Sequence, residues 1–196
     1  MGIVYTVGHS SHAFEDFARL LTVHHIQVVV DTRSAPYSRF APQFDRELIQ
    51  KALAKPGFKY LFLGAELGGR PKNSEYYDPS GHVVYSRITR DPAFVSGMDR
   101  LSRGIRDFRV ALMCGEEDPA HCHRRLLVGR VLVEQGHQLW HIRGDGRLES
   151  DADVANASRK PLVNEQPALF AELDEDQWRS TASVSPKRAP VNSSAF

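Results

Sequence analysis

The chain is poor in cysteine, in net charge and in long apolar runs, and each shortage removes a class of protein. Two cysteines in 196 residues cannot build the disulfide framework of a small secreted domain. Lying close together among histidines, they fit functional thiols in a reducing compartment, with a reversible Cys114–Cys122 disulfide left open. A formal net charge of +1 exerts no general pull on nucleic acid or membrane, so anion binding must come from local clusters of Arg and Lys. No apolar run nears the ~20 residues of a membrane span. The opening Met1-Gly2-Ile3-Val4-Tyr5-Thr6-Val7-Gly8 has neither the basic start nor the long apolar stretch of a leader. The expectation is a cytoplasmic protein without a membrane partner. Neither G-x-G-x-x-G nor G-x-x-x-x-G-K-S/T occurs, so dinucleotide and P-loop assignments lack their signature and no cofactor is expected.

What is present is an ordinary globular composition, 41% hydrophobic and 25% charged, enough for one well-filled core. Apolar spacing predicts strands at Ile3 to Val7, Ile26 to Val30, Phe58 to Leu63, Phe108 to Met113 and His137 to Ile142. Helices are predicted between them at Phe14 to Val23, about Arg46 to Ala54, about Ala93 to Arg103, and Arg124 to Gln135. Strands alternating with helices imply a three-layer α/β fold, a mainly parallel five-stranded sheet with helices on both faces. The α/β domain is placed at 1–147 and a C-terminal extension at 148–196, with a short helix at about 168–178 and a disordered tail from Ser180. Two connections, Thr32 to Asp45 and Gly64 to Asp91, exceed what a compact α/β unit needs, and such loops are usually functional or disordered.

In open parallel sheets ligands bind beyond the carboxyl ends of the strands. There the first strand delivers Gly8-His9-Ser10, the second Asp31-Thr32-Arg33-Ser34 and the fourth Cys114-Gly115-Glu116. The run from Cys114 to Arg125 holds both thiols with His121, His123, Arg124 and Arg125. It is too polar for core packing and rich in nucleophile, base and anion-binding types. A thiolate on Cys114 would be favoured by His9, by His123 or by the following helix, whose free N–H groups also favour anions. The loop Arg33-Ser34-Ala35-Pro36-Tyr37-Ser38-Arg39-Phe40 interleaves guanidinium with aromatic rings, which suits phosphates and stacked bases.

Plainer roles compete for several of these residues. A cysteine ending an apolar strand is often a small buried hydrophobe. Asp118 followed by Pro119 reads as a helix cap, Phe40 and Phe44 as cover for the sheet, and His24-His25 as a solvated pair. Zinc on Cys114, His121, Cys122 and His123 is chemically reasonable, but the seven-residue gap between the cysteines lacks the paired knuckles of structural zinc sites. No metal is therefore expected.

The segments Thr6-Val7-Gly8-His9-Ser10, Val30-Asp31-Thr32-Arg33-Ser34-Ala35-Pro36 with Pro42-Gln43-Phe44, Leu67-Gly68-Gly69-Arg70, and Cys114-x-Glu116-x-x-Pro119-x-x-Cys122-His123-Arg124 together resemble the bacterial domain of unknown function 488 family, over about residues 3 to 143. The resemblance implies a compact α/β domain sharing these polar residues and carries no known activity. Thr32 stands where members often have Val, and the tail finds no match.

The expected function is a hydrolase or transferase acting on a phosphate-bearing small molecule or nucleic acid. Cys114 would be nucleophile or redox thiol, with Glu116, His9, His123 and Asp31 as catalytic partners. Ser10, Arg33, Tyr37, Arg39, Arg70 and Arg124 would hold the substrate. The alternatives are a non-catalytic anion or nucleic-acid binding module and a metal or thiol-redox sensor. Oligomeric state is left open.

Overall fold

A computed structural model describes residues 2–158 and 178–184. Its centre is a six-stranded sheet built from β1 (Ile3–Gly8), β2 (Val28–Asp31), β3 (Lys59–Phe62), β4 (Val110–Cys114), β5 (Gln138–Ile142) and β6 (Leu148–Ser150). The spatial order is β3-β2-β4-β1-β5-β6. The first five pair in parallel and β6 runs antiparallel to β5. The expected α/β class therefore stands, but the sheet is mixed and six-stranded rather than five-stranded. The extra strand follows a turn closed by Gly146 N–H donating to the Arg143 carbonyl at 2.9 Å, with Gly146 at φ 88. Asp145-Gly146 is a recognised hairpin dipeptide, yet three residues are too few to show a strand period.

Successive strand residues feed opposite faces. Val28, Val30, Val110 and Leu112 enter one apolar cluster, and Val29, Ala111 and Met113 the other. Helices α1 (Phe14–Val23) and α2 (Arg46–Ala54) cover the second face through Phe17, Leu20, Leu21, Ile49 and Leu53. The long connection after β3 carries two short helices, α3 (Gly64–Leu67) and α4 (Tyr85–Ile88). Helix α5 (Pro92–Asp107) then covers the first face with Phe94, Met98, Leu101 and Ile105. Asp91 caps α5, its carboxylate accepting from Ala93 N–H at 2.7 Å, ahead of Pro92. The segment after β4 is wound as a π-helix over Arg124–Gly129 before α6 (Arg130–Glu134), a rare form often found beside functional sites. Leu127, Val128 and Leu132 join the α5 layer. Each such buried aliphatic side chain is worth about 1.5–3 kcal/mol.

Helix α7 (Asp151–Ser158) follows β6 and returns to the domain, Asp151 accepting from Arg125 Nε at 2.7 Å. The helix expected over about 168–178 lies outside the described residues except for Trp178. Ser180, expected to begin a disordered tail, instead lies in a docked segment. Trp178 donates its indole N–H to the Leu126 carbonyl at 2.6 Å and meets Tyr85 edge-on, while the Arg130 guanidinium lies 4.1 Å above its ring. Ser180 and Val83 exchange bonds of 2.9 and 3.0 Å, and Val184 N–H reaches the Gly81 carbonyl at 2.9 Å. A few specific backbone pairings hold this stretch, and composition does not reveal them. Among the described residues no helix is long and apolar enough to cross a membrane.

Candidate active site

The register levels three strand ends. Gly8 pairs with Cys114 and Asp31 with Met113, and the ladder continues past the strands as His9 N–H donates to the Cys114 carbonyl at 2.9 Å and Ser10 N–H to Gly115 at 3.1 Å. Thr32 bonds the Met113 carbonyl with both its N–H and its hydroxyl, each at 3.0 Å. The chains leaving β1 and β4 turn to opposite faces, towards α1 and the π-helix respectively, which opens a crevice between them. A cavity of ≈ 860 Å³ lies there, with His9, Ser10, Arg33, Tyr37, Arg70, Cys114, Glu116 and His123 all on its wall. The convergence expected of the three strand ends is present. Asp31, Arg39 and Arg124 do not line the cavity.

Asp31 and Arg124 are structural ties. Arg124 is fully buried and donates through Nε to Thr6 Oγ1 at 3.2 Å, through Nη2 to the Glu117 carbonyl at 2.6 Å, and through Nη1 to the Glu116 carbonyl. It pins the loop after β4 across the end of β1. At Gly8 a side chain would strike that loop's backbone at Glu116 and Glu117, so glycine there is a condition of the close approach. Asp31, also fully buried, accepts from Arg33 Nε at 2.9 Å, Arg33 Nη2 at 2.6 Å and the Tyr60 hydroxyl at 2.7 Å.

Arg33 is correspondingly occupied. Beyond Asp31 it donates to the Phe44 carbonyl at 2.8 Å and to His9 Nε2 at 3.0 Å, so four of its five N–H groups are used. Because a guanidinium can only donate, His9 Nε2 must be the unprotonated nitrogen, and Nδ1–H donates to the Ser10 carbonyl at 2.9 Å. His9 also stacks on Phe44 at 4.3 Å. Burial, with the Arg33 charge adding to it, pushes its pKa below the ordinary histidine value. His9 is thus a neutral, fully engaged ring. Ser10 beside it has a left-handed backbone, φ 45, of the kind that clusters at functional sites.

The other side of the cavity is arranged differently. Cys114 Sγ and Cys122 Sγ lie 3.8 and 3.9 Å from His123 Nδ1. The far nitrogen of that ring, Nε2, donates to the Thr32 carbonyl at 2.9 Å. The Cys122 thiol donates to Cys114; that bond, the charge and bond of His123 and the Arg124 charge hold the Cys114 pKa well below the ordinary thiol value against burial. Cys122 moves the opposite way, pushed up by burial, by the hydrogen bond it donates to Cys114 and by the Cys114 charge. Burial pulls His123 down, but the Cys114 charge and bond and the Thr32 carbonyl outweigh it and raise its pKa. Gly69 lies flat against the imidazole, where any Cβ would collide with the ring.

At the rim, Glu116 is exposed and accepts from Asp118 N–H at 3.2 Å. Asp118 caps the turn Pro119–His121, its carboxylate accepting from Ala120 N–H at 3.0 Å, which is the plain capping role. His121 points out towards Asp118, 3.9 Å away and 65% exposed, and is not part of the thiol cluster. Arg70 is exposed, and its side chain has no ion-pair partner among the described residues. Tyr37 stands at the mouth with its hydroxyl donating to Glu47 at 2.9 Å. Phe44 covers the sheet as expected, whereas Phe40 is 90% exposed beside the cavity. His24, expected to be solvated, bonds the Gly146 carbonyl at 2.9 Å.

Sequence reasoning missed Tyr60, which completes the Asp31 corner, and Thr6, which receives Arg124. It also missed Ser180 to Ala182, which line the cavity from far along the chain. Cys122 was weighed only as a disulfide partner or a zinc ligand. No local pattern marks Tyr60 or Thr6, since each acts through a neighbouring strand. Trp178, a large aromatic in a polar stretch, was the one available signal for the docked segment.

A family model described as Domain of unknown function DUF488 matches residues 13–131, well over half of the chain, and the chain belongs to that family. The matched span takes in Arg33, Arg70, Cys114, Cys122 and His123, while His9, Ser10 and the Trp178–Val184 segment lie outside it. No curated protein and no solved structure matches.

Proposed function

We propose that this member of the DUF488 family is a hydrolase or group-transfer enzyme that uses Cys114 as nucleophile on a phosphate-bearing substrate such as a nucleotide. The observation that carries the reading is the position of Cys114 Sγ on the cavity wall, 3.8 Å from His123 Nδ1. A thiolate there attacks the electrophilic centre and forms a covalent bond as the leaving group departs and takes up a proton. His123, hydrogen-bonded to Thr32, is the nearby acid, and Glu116 at the rim activates the water or acceptor that releases the intermediate. Arg70 and the exposed faces of Tyr37 and Phe40 supply an anion contact and stacking surfaces. Arg124 lies off the cavity wall and Arg33 keeps a single N–H uncommitted, so the anion clamp is smaller than the count of arginines suggests.

The test pairs labelling with turnover. Limiting iodoacetamide followed by peptide mapping should modify Cys114 ahead of Cys122, and a panel of nucleotides and oligonucleotides should include one whose turnover is lost in Cys114→Ser at unchanged melting temperature. Turnover that survives Cys114→Ser overturns the nucleophile. Two equally inert cysteines would do the same.

A further inference from the structure

We propose that Cys114, Cys122 and His123 form a three-ligand site for a thiophilic divalent cation of the zinc class, with the fourth coordination position facing the cavity. This goes beyond the reading of Cys114 as a nucleophile and stands without it.

Distance is the first support. The three candidate ligand atoms all lie within 4.8 Å of one another. Ligands at about 2.3 Å for sulfur and 2.0–2.1 Å for nitrogen, held at a tetrahedral angle, are about 3.6 Å apart. The two Sγ to Nδ1 separations are 3.8 and 3.9 Å, so each sulfur–nitrogen pair is within a few tenths of an ångström of that spacing.

Orientation is the second. The Thr32 carbonyl accepts from Nε2–H at 2.9 Å, which fixes the ring and turns Nδ1 towards the two sulfurs. A metal-binding histidine is commonly held in this way by a carbonyl on its other nitrogen. Gly69 against the ring face leaves room for that one pose.

The third is the donor set. Two thiolates and a neutral imidazole balance a dication and select zinc-class ions over magnesium or calcium, which require oxygen ligands. All three residues line the cavity, leaving one side for water or another ligand, as in zinc sites with three protein donors. On binding, each protonated donor gives its proton to solvent and its lone pair to the cation.

The linear spacing argued against such a site because zinc knuckles place paired ligands on one short loop. Here the turn Pro119–His121 folds the gap back, so that Cys122 and His123 return to the end of β4. A cation at this site takes the Cys114 lone pair, so occupancy and thiol nucleophilicity exclude each other.

Titration of metal-free protein with Co²⁺ tests the site directly. One equivalent should give intense near-ultraviolet sulfur-to-cobalt charge transfer and the visible bands of tetrahedral cobalt, and Zn²⁺ should displace it. Cys122→Ser and His123→Gln should each weaken binding at least ten-fold, and His121→Gln should leave it unchanged. On the unaltered chain, Zn²⁺ should block iodoacetamide at Cys114 and EDTA should restore it, which removes dependence on variants that fold poorly. Absence of a cobalt–thiolate band, or Cys114 labelling indifferent to Zn²⁺, overturns the site. A metal spectrum combined with turnover that survives Cys114→Ser would reject the nucleophile and leave the cation site standing.

Discussion

The two sides of the cavity each hold a histidine among titratable partners and do opposite things. On one side His9, Asp31 and Arg33 close on each other and on Tyr60, Phe44 and Ser10, leaving a single guanidinium N–H uncommitted. On the other, two sulfurs share one imidazole nitrogen and face open space. A histidine flanks each. What separates the closed side from the open one is the tally of satisfied donors and acceptors, because a fully bonded buried group stabilises its pose and has nothing left to offer a ligand. Arg124 makes the same point, having a charge suited to phosphate but directing its hydrogen bonds to Thr6 and two carbonyls.

The largest expected effect breaks the closed side. Asp31→Asn leaves Arg33 buried without its counter-charge, and removing one partner of a buried pair costs about 3–5 kcal/mol, roughly a 10 °C fall in melting temperature. An unchanged melt would show that this corner is not a scaffold. Arg124→Gln, which strips donors from Thr6 and the Glu116 and Glu117 carbonyls, should cost about 2–4 kcal/mol. Anion affinity of its folded fraction should be unaltered, and a selective loss of anion binding at constant stability would return Arg124 to the ligand site.

Smaller effects sharpen the contrast. His9 has a folded pKa pushed down by burial and by Arg33, while the Ser10 carbonyl and the nearby Cys114 and Asp31 charges pull the other way. A lowered pKa means that the unfolded chain binds the proton more readily. The His9 contribution is therefore complete above its ordinary value of 6.5 and is lost as pH falls through the lower folded value. Denaturant melts should weaken across that acid range, and His9→Gln should flatten this part of the profile; a parallel profile in the variant would contradict the assignment. Cys114→Ser should cost less than about 1.5 kcal/mol, being nearly isosteric, yet abolish the preferential alkylation. Smallest of all, Arg70→Gln should move stability by no more than about 0.5 kcal/mol. It should also weaken nucleotide binding and lower its salt slope by about 1, and an unaltered slope would remove Arg70 from the contact surface.

Much of the fold was legible because burial imposes a period on sequence. Helices α1 and α2 coincide with their expected spans, and five strands fall within a few residues of theirs. Strand β6 and the docking of Trp178–Val184 were not legible, since three residues and a handful of backbone bonds carry no period. For the site, the strand ends named the neighbourhood, and Asp118-Pro119 was read correctly as a cap. Asp31 and Arg124 lie off the cavity wall and Arg33, on it, has four of its five N–H groups bonded, which no local pattern records, because charge type is local whereas partnering is not.

By itself the sequence determined the α/β class, the layers and the fact that polar residues gather at one sheet edge, since hydrophobic periodicity and strand ends are properties of neighbours along the chain. Only the tertiary structure decided which of those polar residues are consumed as scaffold and which remain available. That depends on register, on which carbonyl meets which guanidinium, and on the turn that brings Cys122 and His123 back to Cys114. Those pairings join Arg124 to Thr6, Tyr60 to Asp31 and His123 to Thr32, partners separated by long stretches of chain whose meeting no local pattern records.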